Sequence, residues 1–381
     1  MADGVTSDVP GESRGVVRAE QERRVSWAEL FFDLVFVVAV TRTSTLIATD
    51  SGPAGLLRAL IVFVPVYWMW VGTAIHTNQT GAERPAHRVR LFAIALSAVF
   101  MAIALPGAYG DRALVFALSY WAGRAVLGIP IVLATRGMRT PYGVSVVLTG
   151  PLLVIGALLD MLAREVVWGI VALIDLSTPW VLGRILSSVH YLAGHLVERF
   201  GLFVLIALGE SMVAVASVPF EHLNVPVGSA IVVAFVLVSG IWWVYFHYAN
   251  SRMETTLAAA PTQIALVRNV LSYGHLSLIA SIMVIAVGLQ RAIARPAETL
   301  GWASTGLLYG GTAAYCATFV FTRWRMIGRV SWTRGSAAVV VLALLPIASN
   351  LPALASLAIL AVVIVALNVG EWYKTEILQR R

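Results

Sequence analysis

Carboxylates set into apolar sequence are the groups best placed to do chemistry in this chain. WAELFFDLVFVVAV (27–40) holds Glu29 and Asp33. Four residues apart, they share one helix face and lie about 6 Å apart along its axis. LIALGESMVAVA (205–216) holds Glu210, a further acid some 18 Å along a helix that opens near Glu198. At bilayer depth a charged side chain costs roughly 2.5–3.5 kcal/mol even on the most lenient insertion scale. Each acid therefore needs a cation, a hydrogen-bond donor or a proton, and marks an ion path, an acid catalyst or a packing lock.

Ser26 and Glu29 have the S-x-x-E spacing of a capping box, which accounts for Glu29 as a helix cap. No cap accounts for Asp33, one turn deeper, or for Glu210, whose neighbours Gly209 and Ser211 would let another helix come close. Arg124 in YWAGRAVLG is the natural counter-ion for one of the acids, since buried charges are paired or neutralised. Which acid it takes stays open. Asp175 in ALIDLSTPW and His275 in SYGHLSLIA are the other polar residues at depth. His275 suits a proton relay or, more commonly, a packed hydrogen-bond donor. In HYLAGHLVE, His195 and Glu198 share a helix face but His190 does not, so a zinc site with three convergent ligands is not expected. Trp68, Trp70, Trp242 and Trp243, near His76 and His247 at two helix ends, read as an aromatic belt or as the lining of a cation cage. There is no Walker loop, dinucleotide fingerprint or HExxH, so no cofactor is expected.

These residues must be positioned by elements that live in lipid. The chain is 59% hydrophobic and only 12% charged, whereas a soluble protein carries about a quarter charged residues. The net charge of +7 does not indicate nucleic acid, because the basic residues fall in the gaps between apolar runs. The one cysteine, Cys316, forms no intrachain disulfide. Residues 1–26 are polar, mixed in charge and without the pattern of a signal peptide, and they read as a disordered cytoplasmic tail.

A crossing helix takes about 20 residues. Apolar runs of that order fall near 27–48, 54–75, 88–106, 113–134, 143–162, 165–182, 198–218, 228–249, 263–290, 301–323, 335–350 and 353–371. The predicted fold is thus an all-α integral membrane protein of about twelve spans. With the amino terminus inside, the tails and even-numbered loops with their adjoining helix ends hold 20 of the Lys and Arg, the opposite side six. That bias places both termini in the cytoplasm, with 372–381 as the carboxy-terminal tail. WAELFFDLVFVVAV matches VERFGLFVLIALGE (197–210), WMWVGTAIHTN matches WWVYFHYAN, and SYWAGRA matches LYGGTAA. Two six-helix repeats in parallel orientation are expected, 27–196 and 197–371, with a site at their interface.

Three blocks carry a family resemblance: WAELFFDLVFVVAV, HLVERFGLFVLIALGES (195–211), and WWVYFHYA followed by YGHLSLIASIMVIAVGL (273–289). The chain resembles the low temperature requirement A (LtrA) family of bacterial polytopic inner-membrane proteins, named for a cold-growth phenotype and largely without an assigned molecular activity. The resemblance implies an inner-membrane location and places the family's charged motif positions on Glu29, Asp33, Glu198, Arg199 and Glu210. It departs after the second span, where the family tends to have an Asn-Arg-aromatic-Asp stretch and this chain reads HTNQTGAERPAH.

The leading expectation is a secondary transporter or permeation protein that binds a small ion or a small-molecule substrate at Asp33 and Glu210, which face each other between the halves. The alternative is an intramembrane enzyme acting on a lipid or isoprenoid, for example a terpene cyclase, with Asp33, Glu198 or Glu210 as the acid. A membrane scaffold without turnover is the third.

Overall fold

Ser26 starts the first helix. Its hydroxyl accepts from the Glu29 amide while the Glu29 carboxylate accepts from the Ser26 amide, closing the capping box. The computed structural model describes residues 23–135, 140–216, 221, 223–247 and 249–379. Within them nearly everything is helix. The first half is α1 (Trp27–Thr49), α2 (Pro53–Thr80), α3 (Pro85–Ala104), α4 (Ala113–Thr135), α5 (Pro141–Ala157) and α6 (Met161–Val181). The second is α7 (Ala193–Ala216), α8 (Val225–Phe246), a short α9 (Ala249–Ala259), α10 (Ile264–Ala294), α11 (Gly301–Ile327), α12 (Trp332–Ala348) and α13 (Ala353–Gln379).

Local chemistry sets the boundaries. Pro53 and Pro85 occupy first-turn positions where a missing amide costs nothing. Asp160 and Asn224 cap α6 and α8 by accepting from amides three residues on. Gly81 and Gly328 end α2 and α11 at φ of 72° and 68°, a left-handed backbone that favours glycine. Two segments are π-helical, Ser145–Thr149 inside α5 and Val267–Gly274 inside α10.

Among the described residues, eight helices are long and apolar enough to cross a membrane: α1, α2, α3 with its short extension, α4, α7, α8 with α9, α10 and α13. Their outer faces present Leu34, Phe92, Leu118, Val232, Phe235 and Val362, all exposed. In water that would be untenable; in acyl chains it is what the solvent asks for. The chain is therefore a multi-pass helical membrane protein. The helices α5 and α12 are apolar but shorter, and α6, outside that set, carries Arg164, Glu165 and Asp175. The amphipathic α9, burying Met253 and Leu257, lies in what the sequence reads as a loop. The run expected to end at 371 continues as helix to Gln379, and residues 1–22 of the expected tail lie outside the described residues.

Packing follows one pattern in both halves. In the first, α1 packs on α2 and α3, α3 on α4, α4 on α5, α5 on α6, and α6 on α2. In the second, α7 packs on α8 and α10, α10 on α11, α11 on α12, α12 on α13, and α13 on α8. The halves meet where α1 and α2 lie against α7 and α10. Along this seam α1 and α7 run parallel, since Glu29 meets His195, Asp33 meets Arg199, and Thr41 meets Glu210 in ascending order.

Candidate functional site

Four residues apart on α7, His195 and Arg199 point into the seam, and Glu29 and Asp33 meet them from α1. Arg199 is fully buried. Its Nη1 donates to Glu29 Oε1 at 3.1 Å and to Thr77 Oγ1 at 2.7 Å. Its Nε donates to Asp33 Oδ2 at 3.3 Å, and its Nη2 donates to Asp33 Oδ1. Trp70 Nε1 donates to the same Oδ1 at 2.7 Å. From α2, Asn78 donates to His195 Nδ1 at 3.1 Å, which leaves the Nε2–H of His195 to face Glu29 Oε2 at 3.3 Å. Two carboxylates thus share one guanidinium, and the cluster ties α1, α2 and α7 together. Asp33 is not a free carboxylate: Arg199 and Trp70 both donate to it.

Above this cluster the seam is aromatic. Trp70 stacks on Phe203 with ring centres 4.3 Å apart, and Phe36 and Tyr67 close the layer at 6.4 and 6.1 Å from Phe203. Beyond the aromatic layer lies Glu210. It accepts from Thr41 Oγ1 at 2.5 Å and is paired with no cation among the described residues. It lines a cavity of about 260 Å³ between α1, α7 and α10, together with Ser44, Thr45 and Gln290. The Ser44 hydroxyl has no protein partner. The expected face-to-face arrangement of Asp33 and Glu210 is corrected here. Asp33 and Thr41 stand eight residues apart on α1, about 12 Å of rise, and aromatic rings fill the interval. Gly209 is corrected as well, since a Cβ there would meet nothing within 4 Å and it brings no helix close.

Arg124 and Asp175 form a second buried polar centre, in the first half alone. Asp175 accepts from the hydroxyls of Tyr120 at 2.5 Å, Thr149 at 3.0 Å and Ser145 at 3.4 Å. Arg124 donates to Ser145 Oγ at 2.7 Å and to the Trp68 carbonyl at 3.3 Å. It reaches Asp175 only through Ser145, so the counter-ion question resolves to a hydroxyl relay rather than a direct pair.

The remaining expected residues are scattered. Glu198 is exposed in a wide polar vestibule of about 440 Å³ with Arg23, Arg24, Asn250 and Glu254. His275 is buried, with Nε2 against Tyr245 Oη at 2.7 Å and Nδ1 against the Val270 carbonyl at 3.1 Å, so both ring nitrogens are occupied. Trp242 and Trp243 are outward-facing, as a belt requires, whereas Trp68 and Trp70 are buried and belong to the interior. Thr77, Asn78, Ser145 and Thr149 escape notice in the sequence. Their signal is spacing: Trp70 and Thr77 lie two turns apart, and Ser145 and Thr149 one turn apart.

The family model for the bacterial low temperature requirement A protein (LtrA) matches residues 24–369. The uncharacterized protein RA0937 of Rhizobium meliloti (strain 1021) is 28% identical over 291 residues, covering 72% of this chain and 71% of that protein. No solved structure matches. The family match extends over the ion cluster, the aromatic layer and Glu210, and the chain belongs to the bacterial low temperature requirement A family.

Proposed function

We propose that this protein is a secondary transporter or permeation protein of the bacterial inner membrane, coupled to a proton or small cation through Glu210. The carrying observation is a buried carboxylate with no fixed cation among the described residues, in a cavity of mixed polar and apolar lining on the seam between halves. Intramembrane acids in such positions mark ion paths. In this reading the chain has twelve spans in two parallel six-helix repeats, 27–196 and 197–371, with both termini cytoplasmic. The matching order of helix neighbours supports the duplication. So do Tyr120 and Tyr309, which occupy matched positions and bond to the sixth element of their own half, at Asp175 and at the Ser356 carbonyl next to α13's start.

The ion cluster then acts as the closed gate on the amino-terminal side, and the Glu210 cavity as the compartment on the other. Opening the gate requires separating Arg199 from Glu29 and Asp33, and a proton delivered to either carboxylate weakens that hold. Proton flux into proteoliposomes tests the reading. Wild-type protein dissipates an imposed gradient and Glu210→Gln protein, reconstituted to the same density, does not. Equal flux from the two ends the coupling role of Glu210.

A further inference from the structure

A second cavity, of about 270 Å³, lies between α2, α4, α5, α6 and α10 and shares no lining residue with the cavity that holds Glu210. Its walls are Trp68, Val71, Ile75, Ile131, Val189 and Ile264, and there is no acid among the described residues that line it. Two guanidinium groups face it. Arg268 lies over the Trp180 ring at 3.6 Å, with no carboxylate partner among the described residues. Arg124 is only 1% exposed, and its Nε has no hydrogen-bond partner. A buried cation with an idle donor is costly unless something completes it.

The backbone around this cavity is specialised. One π-helical segment borders it with Val267, Arg268 and Ser272, and the other supplies Ser145, which holds Arg124 from behind the wall. Such segments are rare in helices and are frequent at functional sites. Gly72 makes room for the charge, because a Cβ there would come within 2.4 Å of Arg124 Nη1.

The geometry points to a binding site for an amphipathic anion, with a carboxylate or phosphate head on Arg124 and Arg268 and an apolar body along the Val71–Ile75 wall. An apolar pocket with a few placed polar groups is how such ligands are held, and a guanidinium fork matches a carboxylate or phosphate head. A free single-chain amphiphile and a bilayer phospholipid share this chemistry. The site does not depend on Glu210, so its test is binding rather than flux.

The test is quenching of Trp68 by brominated chains in neutral detergent, with Trp68→Phe protein giving the background. Dibrominated stearate is expected to quench. Arg124→Gln and the charge-neutral Gly72→Ala each raise the half-quenching concentration about tenfold or more, and dibrominated stearyl alcohol competes poorly. Brominated phosphatidylglycerol and phosphatidylcholine supply the source arm. Quenching by the former alone upholds the anion site and assigns it to bilayer lipid. Should Arg124→Gln protein fail to fold, Gly72→Ala carries the comparison. The proposal is overturned if stearate and its alcohol quench alike, if Gly72→Ala and folded Arg124→Gln bind as wild type does, or if no anion quenches Trp68.

Discussion

Replacing Arg199 by methionine removes the cation of the seam cluster while keeping much of its length and apolar stem. Four hydrogen bonds go with it, two to Asp33, one to Glu29 and one to Thr77. Removing one partner of a buried ion pair costs about 3–5 kcal/mol, because the other charge is left uncompensated. Here two carboxylates are orphaned at once. Asp33 retains the Trp70 indole, though, and Glu29 retains Ser26 and His195, so neither is stripped of donors. The expected loss is therefore about 4–5 kcal/mol, the top of the range for one broken pair rather than double it. Adding Asp33→Asn and Glu29→Gln should restore most of that, since a buried ionic group replaced as a whole by neutral groups is often close to neutral in stability. Unfolding in mixed micelles with rising dodecyl sulfate fraction, followed by tryptophan fluorescence, measures both. A single variant within about 0.5 kcal/mol of wild type, the span of an ordinary surface change, would refute the reasoning. So would a triple variant no more stable than the single one.

The same titration reads two further changes. Tyr120→Phe keeps the ring but takes one of three hydroxyls from Asp175, and should cost about 1–3 kcal/mol, the desolvation of an acceptor left short. Gly288→Ala places a methyl 2.6 Å from Leu308 Cγ and 3.1 Å from its backbone nitrogen, wedging α10 from α11; overpacking of this kind costs about 1–3 kcal/mol. Its control is Gly306→Ala in α11, where the methyl meets nothing within 4 Å and helix propensity should stabilise by up to about 1 kcal/mol.

Much of the fold could be read from hydropathy because lipid imposes a single demand on every crossing segment: twenty or so apolar residues with the backbone satisfied internally. Glu29 was legible as a cap because its partner, Ser26, is three residues away. Asp33 was legible only as a question. Its answer, Arg199, is 166 residues away, and no local pattern reports a contact across two halves. Trp70 misled for a related reason: tryptophan near a helix end suits a membrane interface, yet here the indole turns inward to donate to Asp33. The Arg124 cavity was hidden because five helices build it and each contributes only a few apolar residues. What the sequence offers there is Gly72, whose purpose shows only once a guanidinium lies against it.

The parallel register of α1 and α7 makes the seam lopsided. Its rungs at Glu29, Asp33 and Thr41 rise about 18 Å in all, and they are unequal: two ionic at the bottom, one hydroxyl-to-carboxylate at the top. Pivoting the helices apart about the lower rungs breaks one ordinary hydrogen bond, whereas pivoting about the upper one tears open a desolvated charge cluster. On the proposed transport reading, the two halves rest with their amino-terminal ends shut, and a cycle that unlatches them must bring its own neutralising charge to the bottom of the ladder.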